Sequence, residues 1–415
     1  MRWFYFSVLT TCMLAVLLAC GAGGNSGSST LTTTPPLTIA VNVTGAAPSA
    51  LASQVDGGAW SALTISGSKG TFTVPSAKSN YAVAVRCPFS STTNTNELQA
   101  VIEANASDFA APTFNCPPAT VVATNVSYDL TAISSAQQAA IAIGSDISSY
   151  SPGASSSANV QNVVPGIQDV GVAAYGGTPS TPYGVQIQRN INVTGAPLLI
   201  PPMTTNDATS SETVTVNGVP AGYTSFVTAL YVTAGGVTIP INGNSVPSYG
   251  VIASGDTATG DYYSVLGSAI NSSSNNLVEA LQSFTAPQNL TLVLPSPISF
   301  GGPNPATYPI FNASYSGFTG SGKTGWVASV AWVNAPTGTR AIVVYATSAF
   351  LGSNSVAIPD LSSLSTFFPG PPSKTSVGWS LSALQQSEYY FVFKVISPAN
   401  ETAQYAITEG SFLVP

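Results

Sequence analysis

The stretch Gly317-Phe318-Thr319-Gly320-Ser321-Gly322-Lys323-Thr324 matches the phosphate-cradling pattern GxxxxGK[ST] letter for letter. That chemistry needs a buried strand before the glycines and a helix after them, so that helix-terminal amides point at the phosphates. The residues that follow, Gly325-Trp326-Val327-Ala328-Ser329-Val330, alternate like a strand, and no later apolar run ends in an Asp placed to hold magnesium. The stretch is read as a Gly/Ser-rich hairpin loop. Asp256 and Asp261, with Gly260 between them, offer oxygens to a cation, but Thr257, Ala258 and Thr259 break the alternate-ligand pattern of a calcium loop. Trp326 and Trp332 share one face of a strand, with Trp379, Tyr389 and Tyr390 further on. Exposed in a row, such rings stack on sugars; in a sandwich they fill the core, which is the reading preferred here.

Histidine is absent from all 415 residues. This excludes Ser-His-Asp and Cys-His catalysis, His-ligated zinc or copper, and imidazole pH switching. Lys323-Thr324-Gly325 resembles the third motif of penicillin-recognising serine enzymes, and Ser66-Gly67-Ser68-Lys69 resembles their SxxK, which places Lys one helical turn from Ser. Gly67, Gly70 and the strand-like Thr71-Phe72-Thr73-Val74 point instead to a turn between strands. No two carboxylates stand out as a glycosidase pair. The chain carries 9 Lys+Arg against 16 Asp+Glu, too few cations to neutralise a row of phosphates, so no nucleic-acid partner is expected. Only 6% of residues are charged, against about 25% in an average soluble protein. Two readings of that scarcity stand side by side: an exported β-protein with hydroxyl-rich strands, or a habitat acidic enough to neutralise carboxylates.

The elements that would position these residues are strands. Leu37, Ile39, Val41 and Val43 alternate with polar or small residues, as do Tyr81, Val83, Val85 and Cys87, and then Phe114 and Cys116. Val122 to Leu130, Ala139 to Ile143 and Ile167 to Val170 continue the habit, with a Ser/Gly/Asn loop read from Ser148 to Asn159. Further strands are read around Thr213–Val216, Phe226–Val232, Tyr249–Val251, Tyr262–Val265, Leu290–Leu294, Phe311, Trp326–Val333, Ala341–Tyr345, Val377–Leu381 and Tyr389–Ile396. Leu277 to Phe284 is read as a short helix capped by Asn275 or Asn276. In Val185 to Val193, Arg189 falls in register with the apolar face. An inward Arg needs a partner, and Asp169 on the preceding strand is the candidate, giving a structural ion pair. Pro117-Pro118, Pro201-Pro202 and Pro297 punctuate the pattern. Glu388-Tyr389-Tyr390-Phe391-Val392 echoes Asp261-Tyr262-Tyr263-Ser264-Val265, a hint of repeated units.

At the N-terminus, Arg2 is followed by an uncharged apolar run to Ala19, the form of an export signal. Leu17-Leu18-Ala19-Cys20 resembles the lipobox of bacterial lipoproteins, which implies lipidation of Cys20 and cleavage before it. Cleavage removes Arg2 and changes the formal charge from −7 to −8. Gly21 rather than Asp after the cysteine favours the outer membrane. Gly21 to Pro36 is Gly, Ser, Thr, Asn and Pro, and reads as a disordered tether. Of the four cysteines, Cys12 leaves with the signal and Cys20 takes the lipid, which leaves Cys87 and Cys116 to form one disulfide in an oxidising compartment.

The whole is similar to multi-domain bacterial envelope lipoproteins with immunoglobulin-like modules, on the lipobox, Asp56-Gly57-Gly58-Ala59-Trp60, Tyr81 to Cys87, the Asp169…Arg189 unit and Pro359-Asp360-Leu361-Ser362. The expectation is an all-β chain of tandem antiparallel β-sandwiches of the immunoglobulin or fibronectin III type. Its parts are a signal peptide at 1–19, the lipidated cysteine and tether at 20–36, and sandwiches at 37–118, 119–202, 203–297 and 298–415. The expected function is a lipid-anchored envelope protein that displays these domains for binding, adhesion or structural support, with the membrane, an envelope glycan or a protein as partner. No catalysis, cofactor or metal is expected; a carbohydrate-binding module or carboxylate-dependent glycan-active enzyme is the competing reading.

Overall fold

The computed structural model describes residues 36–90, 95–118, 120–144, 146–147, 151–176, 181–243, 246–334, 338–351, 355–387 and 401–415. The signal, Cys20, nearly all of the tether and the strand read at Tyr389–Ile396 lie outside them. The described residues are nearly all β, as the alternating pattern requires.

The strands form four groups. The first holds β1 (Leu37–Gly45), β2 (Ala50–Val55), β3 (Ser61–Ala62), β4 (Lys69–Val74), β5 (Asn80–Ser90), β6 (Thr95–Asn105) and β7 (Thr113–Cys116). The second holds β8 (Val122–Asp129), β9 (Gln138–Ile143), β10 (Asp146–Ile147), β11 (Ser151–Pro152), β12 (Ser155–Val163), β13 (Gly166–Tyr175), β14 (Gly184–Val193) and β15 (Leu198–Leu199). The third holds β16 (Ser210–Asn217), β17 (Thr224–Val232), β18 (Thr238–Pro240), β19 (Ser248–Val251), β20 (Tyr262–Asn271), β21 (Asn276–Phe284) and β22 (Leu290–Val293). The fourth holds β23 (Ile310–Asn312), β24 (Lys323–Val333), β25 (Thr339–Thr347), β26 (Ser355–Ala357), β27 (Ser376–Gln386) and β28 (Thr402–Leu413), with a one-turn helix α1 (Ser348–Leu351) after β25.

One strand order recurs in every group. The back layers run β3-β2-β5-β6, β10-β9-β13-β14, β18-β17-β20-β21 and β25-β24-β27-β28, and the front layers run β4-β1-β7, β12-β8-β15, β19-β16-β22 and β26-β23. The opening strand of each of the first three units pairs antiparallel with one neighbour and parallel with the unit's last strand. With the strands of a unit lettered in chain order, the layers are d-a-g and c-b-e-f. The half-cystines sit on β5 and β7, one in each layer, and Cys87–Cys116 bridges the first sandwich with its Cα atoms 5.2 Å apart.

The units are not separate along the chain. Three back layers join edge to edge into one twelve-stranded sheet, β18-β17-β20-β21-β28-β27-β24-β25-β6-β5-β2-β3. β21 pairs antiparallel with β28, and β25 pairs parallel with β6, so the first unit abuts the fourth. Val278, Ala406, Ala383, Trp326, Ala346, Glu103 and Ala82 are cross-strand neighbours in one row of this sheet. On that face lies the core shared by the third and fourth units, while Ile39, Val83, Ile102 and Phe114 pack the first unit's core on the opposite face. The second unit keeps its own core around Val126, Tyr128, Ile141 and Val172, and lays the other face of its back layer, with Ala140, Ala173 and Ile187, on the third unit.

Two expectations are corrected. Leu277 to Phe284 is strand β21, not a helix, because backbone pairing on both sides with β20 and β28 outweighs a weak local helix signal. From Ser155 on, the stretch read as a Ser/Gly/Asn loop is the start of strand β12, whose Ala158, Val160 and Val163 are buried while its serines are exposed.

Candidate functional site

Arg189 reaches its position through a bulge. The β13–β14 ladder shifts register between Gln168 and Val170, and Asn190 opposite it takes a positive φ of 58°. The bulge turns Arg189 toward the third unit. Its guanidinium meets Asp261 through Nη2–Oδ2 at 2.6 Å and Nη1–Oδ1 at 3.2 Å, Asp169 at 3.4 Å, and the Asp256 carbonyl at 2.7 Å. The expected Asp169 contact is present, but the fork-on-fork contact belongs to Asp261. Asp256 and Asp261, read along the chain as loop acids, are brought to this pair by β20 and the turn before it.

The two carboxylates that meet the Arg189 side chain take further bonds. Asp261 also accepts from the Tyr231 hydroxyl at 2.8 Å and from the amides of Ala234 and Ala258, each at 2.9 Å. Asp169 accepts from the Thr233 hydroxyl at 2.7 Å and the Asn190 amide at 3.0 Å. Burial pushes the Asp261 carboxyl up, but the bonds from Arg189, Ala234, Tyr231 and Ala258 outweigh it and hold it below the usual carboxylate range. Burial and the adjacent Asp261 charge push the Tyr231 phenol up. Two glycines let the units approach: a Cβ on Gly235 would lie 2.4 Å from Asp169 Oδ2, and one on Gly171 would lie 2.3 Å from Ile239 Cδ1. The arrangement clamps the second unit to the third. It presents no free nucleophile, and Asp261, filled by Arg189 and two amides, has no lone pairs left for a calcium ion.

A second cluster joins the first unit to the fourth. Glu97 on β6 pairs with Arg86 on β5 and with Arg340 Nε on β25, the latter at 2.7 Å. The Arg340 and Arg86 guanidinium carbons lie 4.9 and 5.8 Å from the Phe368 ring centroid. Arg86 and Gln99 donate to the carbonyls of Thr366 and Phe368, at 2.7 and 3.1 Å. These bonds lay the connection between β26 and β27 on the alanine face formed by Ala50, Ala52, Ala82 and Ala84. Burial raises the Glu97 carboxyl, and the two arginines more than reverse it, leaving it below its ordinary value. None of these residues was singled out along the chain; the signal available was that so few cations must each have an assignment.

The tempting motifs resolve as strand and turn. Lys323 and Thr324 open β24 rather than a helix, and Ser66 pairs with Lys69 across a turn with Gly67 at φ 62°. Trp326 and Trp332 are 7% and 2% exposed, and Trp332 packs edge-on against Phe368, so neither is available to stack on a sugar. Among the described residues no group of three or more Cys, Asp or Glu could hold a metal ion. No protein-family model matches the chain, and no curated protein matches it in sequence.

Proposed function

We propose that this chain is a lipid-anchored protein of the bacterial cell envelope, tethered through Cys20, whose repeated β-sandwich units form a single stiff body for binding, adhesion or structural support. One observation carries the reading: the ionisable side chains that come together are consumed in holding units to one another, at Arg189–Asp261 and at Arg86–Glu97–Arg340. The lipobox-like Leu17-Leu18-Ala19-Cys20 supplies the anchor, and the Gly/Ser/Thr tether supplies the reach.

The anchor is tested by labelling cells with a radioactive or alkyne-bearing fatty acid. The native chain takes up label and fractionates with membranes, whereas Cys20→Ala stays unlabelled and keeps its signal. Equal labelling of both chains refutes the anchor. The binding role is tested with an array of envelope glycans against the purified protein, with turnover of each glycan followed in parallel. Release of product from any glycan overturns the non-catalytic reading.

A further inference from the structure

Each of the three seams between units holds a carboxyl that the arginines leave without an ion pair among the described residues. At the seam of the first and fourth units, Glu103 on β6 is 9% exposed, set between Ala82 on β5 and Ala346 on β25. The charged groups on that face are distant along the strands: Glu97 six residues away on β6, Arg86 four beyond Ala82, and Arg340 six before Ala346. At the seam of the third and fourth units, Glu279 on β21 lies between Ser268, whose hydroxyl donates to it at 3.0 Å, and Tyr405 on β28. The other ionisable groups on that face include Tyr262 on β20, Glu401 just before β28, Glu409 on β28 and Lys323 on β24. At the seam of the second and third units, the Asp256 carboxyl accepts from the Ile187 amide on β14 at 3.3 Å and faces Asp207, itself held by the Thr204 hydroxyl at 3.0 Å. Arg189 binds the Asp256 carbonyl and spends its fork on Asp261, with Asp169 and Tyr231 completing the charged surroundings.

We propose that Glu103, Glu279 and Asp256 are proton-held latches: the seams close with these carboxyls neutral, so the four-unit body is rigid in acid and becomes hinged as the pH rises past neutrality. A carboxyl set against a second carboxyl, as Asp256 is against Asp207, holds its proton more tightly. A carboxyl wedged between strands with no cation nearby is tolerated neutral and resists ionising. The direction of titration agrees at all three places. Burial pushes Glu103 up to about 8 and Glu279 up to about 7, the latter moderated by Ser268. Burial and the facing Asp207 push Asp256 up to about 6, against the pull of the Ile187 amide and Arg189. A carboxyl whose value is higher in the closed state than in the open one contributes fully below the ordinary carboxylate value. That contribution is lost as pH rises through the closed-state value. The low charge of the chain then belongs to a protein built for acid.

The test is hydrogen exchange on the full-length protein from pH 5 to 8.5, corrected for the intrinsic rate, read on the β6–β25 and β21–β28 amides and on Ile187. Opening is expected to rise at least tenfold at each seam, since one unit of raised carboxyl value is a tenfold change in the closed-to-open ratio. Glu103→Gln, Glu279→Gln and Asp256→Asn each mimic the protonated latch and flatten the pH dependence at their own seam only. Protection that ignores pH, seams that open toward acid, or variants that keep the native pH dependence would each overturn the proposal. Where a variant fails to fold, carbon-13 titration of the native carboxyls decides: Glu103 and Glu279 midpoints at or below the ordinary glutamate value refute it. Repeating the exchange in high salt separates the latches from general repulsion of the acidic surface, which salt would abolish.

Discussion

At the scale of single residues, the clamp around Arg189 is a set of buried charges that satisfy one another. Asp261 and Asp169 are 6% and 4% exposed, so removing the guanidinium strands two carboxylates away from water. Arg189→Ala is expected to destabilise the protein by about 3 kcal/mol, the low end of the range for a broken buried pair because the arginine is a quarter exposed. Arg189→Lys, which keeps the charge and loses the fork, should recover only part of this. Urea midpoints at pH 6 measure both; a null effect from Arg189→Ala would remove the clamp from the account. The same residues set an acid limit. Asp261 is depressed in the folded state, so its contribution is present above the ordinary aspartate value and disappears as pH falls through the folded one. The midpoint of the native protein should therefore drop below about pH 4, and Asp261→Asn should start lower and lose that drop. In the sequence, the out-of-place Arg189 announced a buried pair and named one acid correctly. Asp261 stayed hidden because 72 residues separate it from Arg189, and no local period connects positions that far apart.

At the scale of elements, strands were legible where large apolar residues alternate with small or polar ones, and not where that contrast is lost. β1, β5, β8 and β14 were visible through alternation. β6 and β28 were missed, and both are seam strands: Gln99, Ala100, Val101, Ile102 and Glu103 are all buried in succession, which leaves no period to detect. β12 was read as loop because its wet face is serine, a residue counted as a turn former. The disulfide was legible because, with Cys12 and Cys20 expected to belong to the export signal and its lipid, two cysteines were left to pair. It ties β5 to β7 across the two layers of the first sandwich and closes a loop with a sequence separation of 29. Its reduction should cost about 3–4 kcal/mol by the loop-entropy relation. Thermal scans with and without reductant check this. Loss of protection should concentrate in β1, β4 and β7, the front layer that the bridge holds down, and a loss spread evenly over all four units would count against that placement.

At the scale of the whole molecule, the repeated strand order was only hinted at by the Asp261-Tyr262-Tyr263 echo, since a topology can recur with almost no letters in common. The fusion of three back layers into one sheet had no sequence signal at all. It depends on which edges are left bare: β6, β21 and β28 are long and regular, whereas β3 is two residues and the β14 edge is met by the Asp256 carboxyl and by Ala208. Short or capped edges do not recruit partners. The parallel union of β6 with β25 also fixes an order of events. Glu97 finds Arg340 across 243 residues of chain, so the first sandwich is made early and cannot seal its long edge until the last one exists. Contacts this distant in sequence make folding slow and leave an adhesive strand waiting. A chain stopped after residue 297 should therefore self-associate through β6, visible by light scattering and relieved by a proline at Val101; a monodisperse product would show that the edge is guarded by other means. The nascent protein carries its greatest aggregation hazard in its most ordered part, and release from that hazard comes only with synthesis of the final sandwich.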